Sequence, residues 1–376
     1  MNKTKLLIAS TLKPIDDSRM FEKFGVSLAK TNEYEVNIIG FSSKNTLTHD
    51  SIHFYSHGPF GRMSFDRITS PSKIFKTYLK VKPQIIICNT HELLIVTSIY
   101  RILFGGRIIY DIRENYVKNI QNTNVFTPIL RPLLAAYVRA KELITKPFFD
   151  GFILAERIYS KQLGFVPAHK SIVIENKFMP FEVVESESKA NSENIVLLYS
   201  GTISASNGIF EAIEITDQLH QIDSSIRLRI IGYCALKKDL LKLQEAIKAK
   251  EYIELIGGDF LVPHQQIIQE IKEANFGFVL KKPNNGINDD KILTRLFEYS
   301  ANKLPMLLLN NPTWVKFCDE FNSAIPINPN HFDPNKTLAL MKDSSFYTQG
   351  DTKSSLWESE ESRFLTFIAK FSKFKI

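Results

Sequence analysis

The sequence has 376 residues, of which 44% are hydrophobic and 23% are charged, and its formal net charge is +7. These proportions are typical of a folded globular protein and exclude a disordered chain. No apolar run approaches the roughly 18 residues that a membrane-spanning helix needs. Residues 1–10 lack the apolar block and cleavage site of a signal peptide.

The excess of basic residues fits three kinds of partner: nucleic acid, an anionic membrane surface or a phosphorylated substrate; it also fits a role in solubility alone. No dense Lys/Arg block with interleaved aromatics occurs, so we expect no nucleic-acid partner. Cys88, Cys234 and Cys318 are far apart and form no CxxC pair. This argues against a disulfide framework and a zinc site, and favours a reducing, cytoplasmic location.

Short β-branched runs alternate with longer amphipathic segments along the whole chain. Some runs, such as Ile85-Ile86-Ile87, are apolar on successive residues, which is typical of strands buried on both faces of a parallel sheet. The alternation of strands and helices predicts an α/β fold with doubly wound parallel sheets. The predicted strands are 5–10, 36–41, 84–89, 107–112, 151–155, 171–175, 195–200, 227–231, 253–256, 276–280 and 306–309.

The segment 180–194 interrupts this alternation. It is polar and acidic and has no apolar period, so we place a domain boundary there. The sequence thus predicts two Rossmann-like domains, at 1–180 and 195–350, and a terminal helical segment at 351–376. Ligands of open parallel sheets bind beyond the carboxyl ends of the strands, so a central cleft that the two domains face is the expected site.

The loop after the first strand of the second domain reads GTISASNG, from Gly201 to Gly208, and precedes a predicted helix. Glycines and small hydroxyl side chains let backbone N–H groups approach an anion, and the helix N-terminus adds a favourable dipole. Gly201, Thr202, Asn207 and Gly208 are therefore candidates to hold a diphosphate. An ordinary turn capped by Ser206 or Asn207 is the alternative.

The segment NDDKILTRLFEYS in the second domain has helical spacing. At about 100° per residue, Lys291, Thr294 and Glu298 share one polar flank of this helix, with Arg295 just beyond them. A carboxylate there could accept two hydrogen bonds from a ribose diol, and the cations could offset charge on a diphosphate leaving group. A solvated helix face, with Asp290 as its N-cap, is the alternative.

Polar residues also follow two strands of the first domain. His91 comes after one strand, and the run from Asp111 through Arg113 to Glu114 ends the next. A histidine and acids at this edge could orient or deprotonate a hydroxyl group. Arg19 precedes the first helix and is expected to point freely into the cleft. The alternative is that the acids cap a helix and His91 is an ordinary loop residue.

The segment 125–149 combines an apolar stripe with basic residues. It could rest on an anionic bilayer, or it could be a core helix with a solvated side. The apolar residues are Phe126, Ile129, Leu130, Leu133, Leu134 and Tyr137. The basic residues are Arg131, Arg139, Lys141 and Lys146.

Taken together, these positions resemble the family-four glycosyltransferases, which have the two-domain fold called GT-B. The segment LFEYSANKLP, which contains Glu298, is similar to the family's LFEYMAxGLP and is the most specific match. YDIRE, with Arg113 where His is common, resembles the family's YDxHE acceptor-side segment, and YSGTI resembles its phosphate loop. The DSR segment that ends at Arg19 resembles the family's first loop, and Trp357 its closing helix.

The resemblance implies a retaining glycosyltransferase, in bacterial surface polysaccharide or glycoconjugate synthesis. It would move a sugar from a nucleoside diphosphate sugar to a hydroxyl of a glycan or lipid-linked glycan. Its location would be cytoplasmic, or peripheral at the inner face of the cytoplasmic membrane. The resemblance also implies that no metal or other cofactor is needed, because helix dipoles and Lys/Arg side chains take the metal's place.

Residue roles follow from the same resemblance. Glu298 would bind the ribose hydroxyls, and Asp290, at the first position of the family's E-x7-E pattern, would contact the transferred sugar. Phe260 and Leu261 belong to the loop that would receive the base. The predicted catalytic residues are Asp290, Glu298, His91 and Glu114, and the predicted acceptor residues are Arg19, His91, Arg113 and Glu114.

The phosphate loop departs from the family pattern at two positions. Thr202 and Asn207 stand where many members carry Arg and Lys. The diphosphate must then find cations elsewhere, and the expected replacements are Lys281, Lys282, Lys291 and Arg295. The alternatives to a transferase are a nucleotide-sugar epimerase or phosphorylase of the same fold, or a non-catalytic partner subunit.

Overall fold

Both ends of the chain belong to the first of two folding units. The first unit comprises Met1–Met179 and Trp357–Ile376, and the second comprises Pro180–Leu356. The computed structural model describes residues 3–43, 48–58, 65–122, 126–180, 194–282 and 291–372. The first unit is therefore completed by the last residues of the chain.

The end of the second unit differs from the expected boundary. The sequence places residues 351–376 in a terminal segment, but residues up to Leu356 belong to the second unit. The turn Thr352–Ser355 packs against the helix Thr294–Ala301 of that unit. The first unit takes up the chain again at Trp357, directly before the helix that begins at Glu358.

Among the described residues, the first unit contains a seven-stranded sheet in which neighbouring strands are parallel. The spatial order is β3-β2-β1-β4-β5-β6-β7, so the direction of winding reverses between β1 and β4. The strands are β1 (Thr4–Pro14), β2 (Tyr34–Phe41), β3 (Ile52–His57), β4 (Ile85–Cys88), β5 (Arg107–Ile112), β6 (Gly151–Leu154) and β7 (Ser171–Val173).

The described part of the second unit contains a six-stranded parallel sheet of the same kind. Its order is β10-β9-β8-β11-β12-β13, so the winding reverses between β8 and β11. The strands are β8 (Ile195–Thr202), β9 (Ile226–Tyr233), β10 (Ile253–Gly258), β11 (Phe276–Val279), β12 (Met306–Leu309) and β13 (Ala324–Ile327).

Helices connect the strands of both sheets. In the first unit a π-helical turn, Arg19–Gly25, leads into α1 (Val26–Lys30), followed by α2 (Phe65–Val81), α3 (Leu94–Phe104), α4 (Tyr116–Asn122), α5 (Leu130–Thr145) and α6 (Tyr159–Gln162). The helices of the second unit are α7 (Ile209–Ile222), α8 (Lys237–Ile247), α9 (His264–Glu273), α10 (Thr294–Ala301), α11 (Pro312–Asp319) and α12 (Pro334–Asp343). The last helix, α13 (Glu358–Ser372), belongs to the first unit.

The two faces of the first sheet are covered by different helices. Successive residues of β1, such as Leu6 and Leu7, belong to separate apolar clusters. One cluster joins the sheet to the π-helical turn, α1 and α13, and the ring of Phe24 in that turn stacks on the ring of Phe364 with centroids 4.1 Å apart. The other joins it to α2 and α3. Burial on both faces explains why the central strands are apolar on successive residues.

The predicted α/β fold with two doubly wound parallel sheets is confirmed. Two strands were not predicted, β3 and β13, and each lies at an edge of its sheet. In β3 only Ile52 is buried, so the strand has no continuous apolar run. β13 contains Pro326, which lacks the N–H donor of an ordinary strand residue and is tolerated at an edge.

Candidate functional site

The reversal point of the second sheet lies between β8 and β11. Open parallel sheets bind ligands at such points, beyond the carboxyl ends of the strands, because the loops that follow the two strands run in opposite directions. The candidate diphosphate loop follows β8, and the segment from Leu280 to Lys282 follows β11. The main-chain N–H of Lys282 donates to the carbonyl of Ser206 at 2.9 Å, which joins the two segments.

The loop from Gly201 to Gly208 is shaped by its own hydrogen bonds. The hydroxyl of Tyr199 donates to the carbonyls of Thr202 and Asn207, at 3.2 and 3.3 Å. Gly208 has φ +81, and an added Cβ would overlap the carbonyl of Leu280, so the position requires glycine. No side chain caps the N-terminus of α7 beside Gly208. The N–H of Ile209 donates to the carbonyl of Ser204 at 3.5 Å, so the N–H groups that follow it in the first turn are the ones available to an anion.

Asn207 binds the loop itself. Its side-chain amide donates to the carbonyl of Thr202 at 3.0 Å, while Thr202 is exposed. The two positions that depart from the family pattern are thus joined to each other. Neither supplies a cation, so a diphosphate at this loop would depend on a basic residue from another element.

Arg295 brings a cation to the loop. One of its terminal nitrogens, Nη2, lies 3.3 Å from the point where a Cβ of Gly201 would be. Nη1 donates to the carbonyl of Phe278 at 3.3 Å, and the guanidinium lies over the Tyr199 ring, 4.9 Å from its centroid. These contacts hold the charge beside the glycine at the end of β8.

The other candidate cations are arranged differently. Lys282 Nζ forms an ion pair with Glu211 at 2.5 Å, so part of its charge is already compensated. Lys281, next to it, is half-buried. The main-chain carbonyl of Lys291 accepts a hydrogen bond from the indole of Trp314 at 2.7 Å. Of these residues, only Arg295 has a side-chain atom within 4 Å of the point where a Cβ of Gly201 would be.

The expected stripe of Lys291, Thr294 and Glu298 on one helix is wrong in part. Helix α10 begins at Thr294, because Leu293 has extended backbone angles (φ −68, ψ 142). Lys291 therefore precedes the helix, whose N-cap position is Leu293. Asp290 itself lies outside the residues that the structure describes.

Glu298 is more exposed than its neighbours in the LFEYS segment. Leu296, Phe297, Tyr299 and Ser300 are buried in the second unit, whereas the Glu298 side chain keeps 14% of its surface exposed. Its carboxylate Oε1 lies 2.9 Å from Nε2 of His264. The motif thus consists of core residues that hold one carboxylate near the protein surface.

His264 is a site residue that the sequence analysis missed. It is the first residue of α9, which follows the loop expected to receive a base. In that loop Gly257 and Gly258 both have positive φ, +90 and +86, and Phe260 and Leu261 are exposed. His264 therefore connects the expected base loop to the carboxylate of Glu298. Its position directly after the glycine-rich loop was the available signal.

The corresponding edge of the first sheet is occupied by ion pairs. Arg19 is 1% exposed, and its guanidinium makes two-pronged contact with Asp111, with Nη2 to Oδ1 at 2.8 Å and Nε to Oδ2 at 3.0 Å. It also donates to the carbonyl of Ile174 at 3.0 Å. The expectation that Arg19 points freely into a site is wrong, because Asp111 needs its charge in a buried position.

Arg113 and Glu114 are also engaged by neighbours. Arg113 contacts both carboxylate oxygens of Asp17, at 2.7 and 3.1 Å. Burial raises the pKa of Asp17, but the charge and hydrogen bonds of Arg113, the charge of Lys13 and the N–H of Met20 together outweigh it, and the net shift is downward. Glu114 accepts a hydrogen bond from the amide of Asn119 at 2.8 Å. A role of either residue toward an acceptor stays a prediction.

His91 lies at the reversal point of the first sheet, after β4. Lys141 Nζ is 3.0 Å from its Nδ1, and Oε1 of Glu92 is 3.4 Å from its Nε2. Burial lowers the pKa of His91 to about 4. The ring is therefore neutral at pH 7, with Lys141 donating to Nδ1 and the proton on Nε2. Its predicted catalytic role is not tested by this geometry.

Asn89 is a second residue that the sequence analysis missed. It ends the run at β4 and is fully buried, and neither side-chain atom has a partner among the described residues. Its carbonyl accepts a hydrogen bond from the Tyr116 hydroxyl at 3.2 Å, and the Tyr116 ring meets His91 edge-on. A buried amide without a protein partner is a place for an ordered water.

Structural comparison gives this architecture its place among known proteins. Sucrose-phosphate synthase from Thermosynechococcus elongatus superposes over 98% of this chain and 99% of its own, with a TM-score of 0.70 and 13% identity. HepE from Anabaena, in complex with UDP and glucose, superposes over 99% of both chains, with a TM-score of 0.61 and 14% identity. The chain has the GT-B fold. No family model and no curated protein matches the sequence.

A third structure with the GT-B arrangement belongs to another reaction class. It is described as a putative UDP-N-acetylglucosamine 2-epimerase from Listeria monocytogenes, and it covers 100% of this chain and 98% of its own, with a TM-score of 0.61 and 11% identity. At such identities the likeness establishes the fold and leaves the reaction to the side chains.

Two further features of the described residues concern metal binding and membrane spanning. Among the described residues, no group of three or more His, Cys, Asp or Glu side chains is placed to hold a metal ion. The helices in the described ranges include none that combines the length and the apolar character needed to span a bilayer.

Proposed function

We propose that this protein is a retaining glycosyltransferase that uses a nucleoside diphosphate sugar. The observation that carries the proposal is the position of the Arg295 guanidinium at the reversal point of the second sheet, with Nη2 3.3 Å from the point where a Cβ of Gly201 would be. A guanidinium, uncapped helix N–H groups and a glycine loop together suit a diphosphate, which carries charge on several oxygens. Glu298, three residues further along α10, suits the hydroxyls of the attached ribose.

The donor would lie along the carboxyl edge of the second sheet. Its base would meet the exposed Phe260 and Leu261, its ribose Glu298, and its diphosphate Arg295 with the loop of Gly201. His264 would hold the Glu298 carboxylate in place through the 2.9 Å contact. Asp290 would contact the transferred sugar, as the family resemblance implies.

The transfer would exchange one bond at the anomeric carbon for another. The bond from that carbon to the diphosphate oxygen breaks, and the acceptor hydroxyl forms a bond on the same face, which retains the configuration. The proton of the hydroxyl passes to the departing diphosphate, and Arg295 offsets the charge that develops there. We propose that these groups act without a metal ion.

The acceptor would be a glycan or lipid-linked glycan, in bacterial surface polysaccharide or glycoconjugate synthesis. The ion pair of Asp17 with Arg113 and the hydrogen bond from Lys141 to His91, both at the first sheet edge, would form its binding platform. The proposed location is the cytoplasm, with peripheral attachment to the inner face of the membrane.

The test is a donor panel followed by product analysis. UDP, GDP, ADP and TDP sugars are each mixed with the full chain, and the shift of the melting temperature is measured. We expect stabilisation by one nucleotide series, lost in Glu298→Ala, and a product whose anomeric configuration equals that of the donor. No shift with any nucleotide, together with an unaffected Glu298→Ala variant, would refute the proposal.

A nucleotide-sugar epimerase is the second candidate, because a structure described as such an epimerase covers the whole chain. The same panel separates the two reactions. An epimerase converts its nucleotide sugar when no acceptor is present, whereas a transferase leaves the sugar of the donor unchanged until a hydroxyl acceptor is added. Chromatography of the nucleotide sugars after incubation without acceptor decides between them.

A further inference from the structure

Helices α3 and α5 lie side by side and expose apolar side chains. The spacing of Ile95, Ile99 and Ile102 places them on one side of α3, and Ile129, Leu133 and Ile144 recur in the same way along α5. Ile129 is 82% exposed and Ile144 is 71% exposed. The remaining exposed large apolar residues of these helices are Leu103, Phe104, Leu130, Tyr137 and Leu143.

The exposed side of these helices carries no charge. Residues 94–104 and 130–145 are described in full, and every exposed residue within them is uncharged. Their arginines are half-buried and bonded: Arg101 contacts Asp150, Arg131 donates to the carbonyl of Phe126, and Arg139 pairs with Glu142. Helix α13 of the same unit is an ordinary surface helix by comparison, since it exposes Glu358, Ser359, Ser362, Arg363, Thr366 and Lys370.

The sequence predicted that basic residues of the segment 125–149 border the apolar stripe, but the exposed basic residues beside it lie on helix α2. Lys141, expected to flank the apolar stripe, is buried beside His91. Helix α2 packs beside α3, and its Phe75 ring meets the ring of Tyr100 on α3 at 6.4 Å. At about 100° per residue, the exposed Ile68 and Leu79 lie on the same side of α2 as Phe75.

The next side of α2 around the helix axis, about 100–160° from Phe75, exposes lysines. Lys73, Lys76 and Lys80 recur at helical spacing and are all exposed, and Lys73 pairs with the exposed Asp66 at 3.2 Å. Lys80 lies over the ring of Tyr55 on the edge strand β3, which places this row on the side away from α3. The apolar band thus runs from α2 across α3 to α5, and the lysine row borders it. We call this surface the α2–α3–α5 face.

We infer that the α2–α3–α5 face docks on an anionic lipid bilayer. Large exposed apolar patches are rare on soluble proteins, and one bordered by lysines matches the acyl boundary and the negative head groups of such a bilayer together. Charge complementarity favours the bilayer over a second copy of the chain, because in a dimer the lysine row of one copy would repel the lysine row of the other. The inference rests on the proposed function at one point only: a lipid-linked acceptor would lie in the membrane to which this face binds.

The test measures binding of the full chain to vesicles. Sedimentation with vesicles of equal parts phosphatidylglycerol and phosphatidylcholine is compared with phosphatidylcholine alone. We expect binding to the anionic vesicles, weakened about a hundredfold in the triple variant Ile102→Gln, Leu133→Gln, Ile144→Gln. The variant Lys73→Glu, Lys76→Glu, Lys80→Glu should bind at least about tenfold more weakly, and the wild-type affinity should fall with added salt.

A matched control replaces exposed apolar residues of the second unit. Ile222→Gln, Leu241→Gln, Leu340→Gln should bind vesicles as the wild type does, since these residues lie on α7, α8 and α12. A wild-type chain that stays in the supernatant, or a triple variant of α3 and α5 that binds normally, would overturn the inference. So would a dimer that the triple variant converts to monomer without any lipid binding. Stabilisation by nucleotide should persist in the triple variant, so a failure of donor binding is recognised separately.

Discussion

The carboxyl edges of the two sheets have the same topology but differ in how their charged groups are paired. At the first edge the charged groups are paired, Arg19 with Asp111 and Arg113 with Asp17, and Lys141 donates a hydrogen bond to the neutral ring of His91. At the second edge a glycine loop meets Arg295, and Glu298 has only a histidine as its charged or ionisable partner among the described residues. The first edge is therefore a platform of paired charges, and we propose that the second edge keeps its polar groups for an anionic ligand.

The largest effect should come from breaking the platform. Arg19→Leu leaves the buried Asp111 carboxylate without its partner, which should lower the free energy of unfolding by about 3–5 kcal/mol. Urea unfolding checks this. The double variant Arg19→Leu, Asp111→Asn should recover part of the loss. If Arg19→Leu alone unfolds like the wild type, the platform does not depend on this ion pair.

A glycine of the second edge gives the next largest effect. Gly208→Ala places a Cβ against the carbonyl of Leu280 at a positive φ, so we expect a loss of about 3 kcal/mol and loss of nucleotide binding. Gly164→Ala is the matched control, because nothing lies within 4 Å of the added Cβ. Thermal unfolding with and without nucleotide distinguishes the two. Equal behaviour of both variants would mean that the loop tolerates a side chain.

Acidification should affect the first edge through His91. Its folded pKa, about 4, lies below the ordinary 6.5 because burial disfavours the charged ring. Between these pH values the unfolded chain binds a proton that the folded chain does not. The contribution of neutral His91 to the free energy of unfolding is therefore complete above pH 6.5 and is lost as the pH falls toward 4, by at most about 3 kcal/mol. The urea midpoint measured across this range should slope less in His91→Gln. An identical slope would place the pH dependence elsewhere.

The sequence was sufficient for the strands that are buried on both faces. β12 is apolar throughout and β5 is apolar apart from Arg107 and Asp111, so their bounds were predicted at Arg107–Ile112 and Met306–Leu309 as observed. The edge strands β3 and β13 were missed, because a strand with one neighbour needs neither a continuous apolar run nor every N–H group.

The sequence predicted which elements carry several candidate site residues, but not which other residues they contact. Spacing placed Glu298 and Arg295 on one helix, yet it could not show that Leu293 is extended and that Lys291 precedes the helix. The burial of Arg19 depends on Asp111, which is distant in sequence. His264 was overlooked for the same reason, since its contact with Glu298 joins two different helices.

The central claim is that Arg295 serves the diphosphate and Glu298 serves the ribose. The most direct measurement is calorimetric titration of one nucleoside and its diphosphate, chosen from the stabilising series, into wild type, Arg295→Gln and Glu298→Gln. Each lost charge-assisted contact should weaken binding by about tenfold to a hundredfold. We predict that Arg295→Gln weakens only the diphosphate, whereas Glu298→Gln weakens both ligands equally. Unchanged affinities in both variants would contradict the claim.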